Sequence, residues 1–231
     1  FFKADLYKKY FTLDYKQSLT GKEKSWVEEH GGIKIGFLNN AQAIFSMDEE
    51  TGKLTGMLAE YISYAKDCLG NQTLEFNIRE YDDYNEMLQA LQDHKIDMIF
   101  YAGRNPDLAE KKGYTLTNTA WNYSLMAVTD EKYFNEDESY TVAVPKEQEA
   151  LKQHIAFSYP QWKLVDYDSL TDAADMVMNE TADCFLMGTS QALKYDNNRD
   201  FKSVPLTKTM EACFAVRGGE GTLLSILNKT L

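Results

Sequence analysis

Residues 52–70, GKLTGMLAEYISYAKDCLG, carry the clearest alternation of apolar and polar positions in the chain. The apolar positions of this stretch are Leu58, Ile62, Ala65 and Leu69. Because this four-three-four spacing places them on one helix face, it predicts a helix over residues 55–69. Gly70 is suited to end that helix, since glycine accepts the left-handed backbone of a helix C-terminus.

Apolar runs on both sides of this helix predict strands. IKIGFL (33–38) is almost continuously apolar, TLEFNIRE (73–80) alternates, and IDMIFYA (96–102) is again apolar. Between the last two strands, Asp83 and Glu86 form the capping-box pattern of a second helix. Strands and helices that alternate in this way predict an open α/β sheet.

The segment 81–102 is repeated, without a gap, by the segment 167–188. Each copy predicts a capped helix, a short polar turn, an aspartate (Asp97 or Asp183) and a buried strand. Two explanations remain open. The chain contains two similarly built lobes, or the match reflects chance or the sequence pattern that all α/β folds share.

Further elements are predicted before and after these two copies. LTGKEKSWVEEHGG (19–32) predicts a short helix with a capping box and a glycine stop. Residues 140–157 predict a strand and a helix, with Pro145 in the first turn of the helix. Residues 211–217 predict a strand that is followed by a last helix.

Composition narrows the classes of partner. The 231 residues carry 36 acidic and 24 basic side chains, and the net charge of −12 repels phosphate backbones, so we expect no nucleic-acid partner. No apolar run approaches the roughly 20 residues of a membrane span. We therefore expect any contact with a membrane to be made by segments outside this chain.

Cofactor, metal and nucleophile motifs are missing from the sequence. The three histidines lack a second ligand at metal-binding spacing, and GTSQA (188–192) lacks the glycine pattern of a nucleophile elbow. A phosphate loop requires a lysine and then a hydroxyl residue directly after its last glycine, and neither GKLTGML (52–58) nor RGGEGTLL (217–224) has that order. We predict a chain without cofactor or metal.

The order of segments supplies a family resemblance. IKIGFLNNAQAIF (33–45), ETGKLTGMLAEYI (50–62), HKIDMIF (94–100) and YTLTNTAWNYSLMAV (114–128) resemble the type II periplasmic-binding-protein family, specifically the family 3 solute-binding, or Venus flytrap, domains. The similarity extends over about residues 31–231. It implies a binding domain whose chemistry is recognition and not catalysis.

The leader refines this resemblance. LTGKEKSWVEEHGGIKIGF (19–37) is similar to the prefix that precedes such domains in membrane-bound bacterial receptors, including sensor histidine kinases and diguanylate cyclases. We therefore expect an extracytoplasmic sensor domain, anchored to a membrane in the full-length protein and possible as a dimer there. The alternative is the solute-binding protein of an ABC transporter.

By this resemblance the fold is α/β, with two lobes of open mixed sheets flanked by helices and joined by two crossover hinge strands. Residues 1–30 would form a helical leader, 31–127 with 207–231 would form lobe 1, and 128–206 would form lobe 2. A ligand would lie in the cleft between the lobes and close them like a hinge.

Positions that match the family's cleft, and aromatic side chains near it, give the candidate ligand contacts. The candidates are Asn39, Asn40, Gln42, Phe45, Tyr84, Tyr101, Arg104, Trp121, Lys146, Gln148, Thr189 and Ser190. The aromatic members, with Tyr123, suit a planar or sugar-like ligand, although core packing explains each of them as well. Arg104 and Lys146 would hold an anion from opposite lobes, and the alternative for Arg104 is a solvated loop arginine.

Two family contacts for free amino acids are missing. The arginine that grips the α-carboxylate is replaced by Ala109 or Glu110, and the aspartate that receives the amino group is replaced by Gly188. We therefore predict a small anionic, aromatic or sugar-like ligand and not a free α-amino acid. Two further alternatives are an ectodomain that binds no small molecule and a dehydratase-like enzyme, for which Glu147 and Glu110 are the candidate acids.

Overall fold

Helices and strands alternate along the described part of the chain. The computed structural model describes residues 19–38, 45–47, 54–69, 74–130, 133–192, 195 and 200–231. The helices are α1 (Gly21–His30), α2 (Met57–Leu69), α3 (Tyr84–Gln92), α4 (Pro106–Lys111), α5 (Glu149–Ser158), α6 (Leu170–Met178), α7 (Thr189–Ala192) and α8 (Gly221–Asn228). The strands are β1 (Ile33–Leu38), β2 (Phe45–Met47), β3 (Leu54–Gly56), β4 (Phe76–Tyr81), β5 (Met98–Gly103), β6 (Tyr114–Thr129), β7 (Thr141–Pro145), β8 (Lys163–Tyr167), β9 (Cys184–Gly188) and β10 (Lys202–Arg217).

Eight of these strands form a mixed sheet in the order β4-β1-β5-β10-β6-β9-β7-β8. Parallel strands lie at both ends of this order, where β1 pairs with β4 and β5, and β7 pairs with β8 and β9. We call the β4-β1-β5 end lobe 1 and the β9-β7-β8 end lobe 2. This arrangement confirms the prediction of a two-lobed α/β fold.

The strands β6 and β10 join the two lobes. Each is 16 residues long, and they pair antiparallel with each other. The C-terminal part of β10 also pairs with β5, whereas the C-terminal part of β6 pairs with β9. Their shared register shifts between Pro205 and Thr209 and again around Cys213. The prediction of a short strand over 211–217 was wrong in extent, because the strand begins at Lys202.

The internal repeat is a structural equivalence. His94 and Glu180, which the repeat aligns, both adopt positive φ angles, of 59° and 58°. The backbone N–H of Asp97 donates to the Lys34 carbonyl at 2.8 Å, and its carboxylate accepts from the Lys34 N–H at 2.8 Å. Asp183 makes the same pair of bonds to Thr141, at 2.8 Å and 2.6 Å. The two lobes therefore share one construction, which confirms the first explanation of the repeat.

Replacing either aspartate with alanine is expected to destabilise its own lobe. Asp97→Ala leaves the Lys34 N–H without its carboxylate partner, and Asp183→Ala does the same at Thr141, so each should lower the free energy of unfolding by about 1–3 kcal/mol. Urea denaturation measures the change, and the exposed Asp175 supplies a control, Asp175→Ala. Equal stabilities in all three variants would contradict this role.

The N-terminal helix packs on lobe 1. Thr20 and Glu23 form the predicted capping box, and Gly31 ends α1 in the left-handed conformation with φ 70°. Leu19 and Val27 are buried in the same core cluster as residues of β1, β5 and α8. Residues 19–30, the described part of the predicted leader, therefore contribute to the lobe 1 core.

The periodic stretch of residues 52–70 contains a strand and a helix. Gly56 ends β3 with φ 83°, and α2 begins at the next residue. The helix therefore starts two residues later than the predicted start at residue 55. Leu58, Ala65 and Leu69 are buried as predicted. In the described ranges, none of the helices combines the length and apolar character required to cross a bilayer.

Candidate functional site

A narrow cavity of about 90 Å³ lies between the two lobes. Lobe 1 contributes the carboxyl ends of β1 and β5 with α3 and α4, lobe 2 contributes the start of α5, and β6 and β10 close the back. The lining residues are Leu38, Tyr84, Phe100, Tyr101, Ala102, Gly103, Leu108, Lys112, Tyr123, Glu147, Gln148, Glu149, Ala150, Leu151 and Met210. Carboxyl ends of parallel strands are where open α/β sheets bind ligands, so we take this cleft as the candidate site.

Three tyrosines form the aromatic wall of the cleft. The ring centroids of Tyr101 and Tyr123 are 5.9 Å apart with an edge-on angle of 69°. The Tyr123 hydroxyl donates to the Met210 sulfur at 3.4 Å. Burial raises the pKa of Tyr84, Tyr101 and Tyr123 above its ordinary value of 10, so all three remain neutral phenols at physiological pH.

Charged groups lie at the edges of this wall. The Lys112 ammonium lies 5.8 Å from the centroid of the Tyr84 ring, which is within the range of a cation–π contact. Across the cleft, Glu147 and Glu149 flank the N-terminus of α5, where the helix dipole favours negative charge. The cleft thus has a tyrosine-and-lysine side on lobe 1 and a carboxylate side on lobe 2.

Among the residues that the structure describes, two direct hydrogen bonds connect the lobes across the cleft. Asn85 of α3 donates its side-chain N–H to Glu147 at 2.5 Å. Asn105, which caps α4, donates its side-chain N–H to Gln153 of α5 at 2.5 Å. Because such bonds require the lobes to be in contact, the structure shows the closed arrangement of the cleft.

The twelve predicted contacts divide into three groups, of which the first lies in the cleft. Tyr84, Tyr101 and Gln148 line the cavity. They come from α3, β5 and the turn before α5, which are far apart in sequence. The fold therefore brings these three predicted residues together.

The second group lies elsewhere. Arg104 is 3.2 Å from the carboxylate of Glu211 and lines a separate groove of about 400 Å³ beside the N-terminal part of β6. Lys146 is 3.3 Å from the carboxylate of Asp168. Trp121 packs on Phe100, with ring centroids 5.5 Å apart, at the edge of the lobe 1 core. Both predicted cations thus have carboxylate partners of their own.

The third group consists of Thr189 and of five residues whose side chains lie outside the described part of the chain. Thr189 begins α7 and donates its hydroxyl to the Ser124 carbonyl at 3.0 Å. Ser190 lies in α7 and Phe45 begins β2, but their side chains lie outside the described part. Asn39, Asn40 and Gln42 also lie outside the described residues. Their roles stay predictions.

Sequence reasoning missed Lys112 and Met210. Lys112 caps the C-terminus of α4, two residues beyond Glu110, which with Ala109 was one of the two positions predicted to replace the family's arginine. That proximity was an available signal for a cation at the cleft. Met210 lies in the part of β10 that was not predicted as strand, so no sequence pattern placed it there.

Sequence comparison finds proteins that are similar over most of the chain. No model of a protein family matches it. The virulence sensor protein BvgS of Bordetella pertussis is 23% identical over 234 residues, and BvgS of Bordetella bronchiseptica is equally similar. The match covers 95% of this chain, and the chain spans 18% of the length of BvgS.

Solved structures share the fold. The periplasmic VFT2 domain of Bordetella pertussis BvgS superposes with a TM-score of 0.73 at 23% identity, covering 92% of each chain. A mutant of arginine-bound ArgBP from T. maritima gives 0.63 at 18% identity, covering 89% of this chain and 97% of its own. A solute receptor for L-cysteine of Neisseria gonorrhoeae gives 0.62 at 21% identity, covering 89% and 85%. These likenesses show that the chain has the two-lobed Venus flytrap fold.

Proposed function

We propose that this chain, which has the Venus flytrap fold, is an extracytoplasmic sensor domain that closes on a small solute and signals to a membrane-attached output module. The observation that carries the proposal is a cleft built from both lobes and backed by two long strands that join them. A ligand held by both lobes favours the closed state by its differential affinity, and that free energy is available to an output module.

Two observations support a receptor over a transporter component. The leader helix α1, whose sequence is similar to the prefix of receptor domains, is packed into the lobe 1 core. The similar sequences are those of a sensor protein, BvgS. Solute-binding proteins of transporters are also similar in fold, so transport of a solute is the second candidate function. In both cases we propose binding without catalysis.

An ectodomain that binds no small molecule is a further candidate, because the closed cleft is small. Its volume of about 90 Å³ lies well below the roughly 300–1,000 Å³ of sites for drug-sized ligands. The cross-lobe bonds of Asn85 and Asn105 are direct contacts between the lobes. Opening of the lobes would have to precede entry of a solute.

For the ligand, we propose a solute that packs on aromatic faces, of which aromatic and sugar-like solutes are examples, in preference to an anionic one. Tyr84, Tyr101 and Tyr123 supply flat faces for such a solute. Arg104 and Lys146, the cations proposed for an anion, are paired with Glu211 and Asp168 instead. We do not propose a free α-amino acid, because the arginine and the aspartate that bind such ligands in the family are both missing from the sequence.

A thermal-shift screen with amines, carboxylates, nucleobases and sugars tests the function. A solute that binds the folded state alone stabilises it by mass action, and this raises the melting temperature. At a solute concentration of a hundred times Kd, the free energy of unfolding increases by about 2.7 kcal/mol. We expect at least one class of solute to give such a shift. Shifts from none of them at saturating concentrations would favour the interaction ectodomain, and turnover of a hit would favour an enzyme.

Removing the cross-lobe bonds is expected to open the cleft. Asn85→Ala and Gln153→Ala each delete one of the two bonds, and because each is worth about 0.5–1.5 kcal/mol, the double variant should populate an open state. Small-angle scattering should then report a larger radius of gyration than for the unchanged chain. Asn179→Ala, an exposed residue after α6, is the control. A double variant with an unchanged radius would contradict the role of these bonds in closure.

A further inference from the structure

We propose that the cleft selects a small organic cation, an alkylammonium or aromatic amine, held between the wall of Tyr84, Tyr101 and Tyr123 and the carboxylates that begin α5. This inference rests on the proposed function, since it names the class of solute on which the lobes would close. It replaces the anionic solute of the sequence prediction with one of the opposite charge.

The tyrosine wall is the first part of the argument. Tyr101 and Tyr123 meet edge to face at 5.9 Å, so their rings present differently oriented faces to one small space. The negative face of an aromatic ring attracts an ammonium group, and the attraction grows where water is excluded. Met210 adds a polarizable sulfur beside Tyr123. Aromatic faces of this kind suit a cation whose hydration is weak.

The start of α5 is the second part. A bare helix N-terminus in this cleft would attract an anion, because its backbone N–H groups point outward. Here Glu147 and Glu149 occupy that end of the helix and line the cavity. They place negative charge where an anionic ligand group would have to bind. An ammonium group on the ligand is therefore favoured on this side.

The Lys112 ammonium is the third part. It lies 5.8 Å from the centre of the Tyr84 ring, so this wall accepts a cation of the chain itself. Among the described lining residues, Lys112 supplies one positive charge against the two carboxylates of Glu147 and Glu149. A monocationic ligand would balance the remaining negative charge. The net charge of −12 adds a field that attracts cations toward the domain.

The test uses choline and its neutral isostere, in which carbon replaces the quaternary nitrogen. The two have nearly the same shape, so a difference in affinity reports the charge. We expect choline or tetramethylammonium to bind in calorimetry and to raise the melting temperature. The isostere should bind at least about tenfold more weakly, and added salt should weaken choline binding because the carboxylates are exposed.

Variants locate the binding in the cleft. Glu147→Gln retains a hydrogen-bond acceptor for Asn85 and removes the charge, so choline affinity should fall about fivefold or more, with folding retained. Lys112→Met removes the competing cation and should strengthen choline binding severalfold. Glu180→Gln, at an exposed turn of lobe 2, is the matched control and should leave the affinity unchanged.

The opposite results distinguish this inference from the proposed function. If the isostere binds as tightly as choline, or if benzoate binds better and Lys112→Met abolishes its binding, the cation assignment is wrong while closure on a solute stands. If solutes of every charge leave the melting temperature and the calorimetric signal unchanged, both proposals fail.

Discussion

Replacing Phe214 with alanine is expected to lower the free energy of unfolding by about 3–5 kcal/mol, the largest effect that we predict for a single residue. Phe214 is 1% exposed and lies on β10 in the centre of lobe 1. Its ring centroid is 4.7 Å from that of Tyr61 and 5.2 Å from that of Phe100. Truncation would leave a cavity beside two aromatic rings that come from two other elements, α2 and β5. Because single domains are stable by about 5–15 kcal/mol, this variant would be close to unfolding.

Urea denaturation checks this prediction against a matched phenylalanine. Phe157, near the end of α5, is 88% exposed, so Phe157→Ala should change stability by less than about 0.5 kcal/mol. The midpoint of the Phe214→Ala transition should fall with little change in slope, since the surface exposed on unfolding is similar. Similar midpoints for both variants would show that the lobe 1 core does not depend on this ring.

Local signals predicted the elements of each lobe. The capping box of α1 and the apolar run of β1 depend on neighbours within a few residues, and so do the capped helix and the strand inside each copy of the repeat, 81–102 and 167–188. Asp97 and Asp183 were recognised as a repeated pair, and both fasten the start of a preceding strand. Such short-range patterns predict structure well because the residues that form the pattern also make the contacts that stabilise the element.

Local patterns did not predict the full extent of the strands that join the lobes. β6 and β10 change from one lobe to the other along their length, so the buried side of each strand does not keep a constant alternation. Residues 202–210 therefore carry no clear period of two. Pro145 was expected in the first turn of a helix but ends β7, and α5 begins later, at Glu149.

The sequence could not show which charged side chains face the cleft, because the residues that pair with them are distant in the chain. Arg104 meets Glu211, more than a hundred residues later, and this pairing holds it beside Cys213 and not in the cleft. Lys112 enters the cleft because α4 ends there, over the ring of Tyr84. Which cation is paired and which faces the cavity is decided by tertiary packing.

Replacing Glu23 is expected to loosen the attachment of the N-terminal helix to lobe 1. Its side chain is 5% exposed, and it accepts from the Thr20 N–H at 2.6 Å, the Ser225 hydroxyl at 2.8 Å and the Lys229 ammonium at 2.5 Å. Burial alone would raise the pKa of Glu23, but these hydrogen bonds outweigh it and lower the pKa to about 2. Glu23→Gln cannot keep the ion pair, so it should cost about 3 kcal/mol of stability at neutral pH.

The pH dependence of that loss identifies its electrostatic origin. Because the pKa of Glu23 falls from its ordinary 4.5 to about 2 on folding, its stabilisation is complete above the unfolded pKa and is lost as the pH falls toward 2. The stability difference between the unchanged chain and Glu23→Gln should therefore be large at about pH 6 and shrink by about pH 3. Glu29→Gln, an exposed carboxylate on the same helix, should show no such difference. A difference that stays constant from neutral to acid pH would mean that shape, and not charge, makes Glu23 necessary for holding α1 against α8.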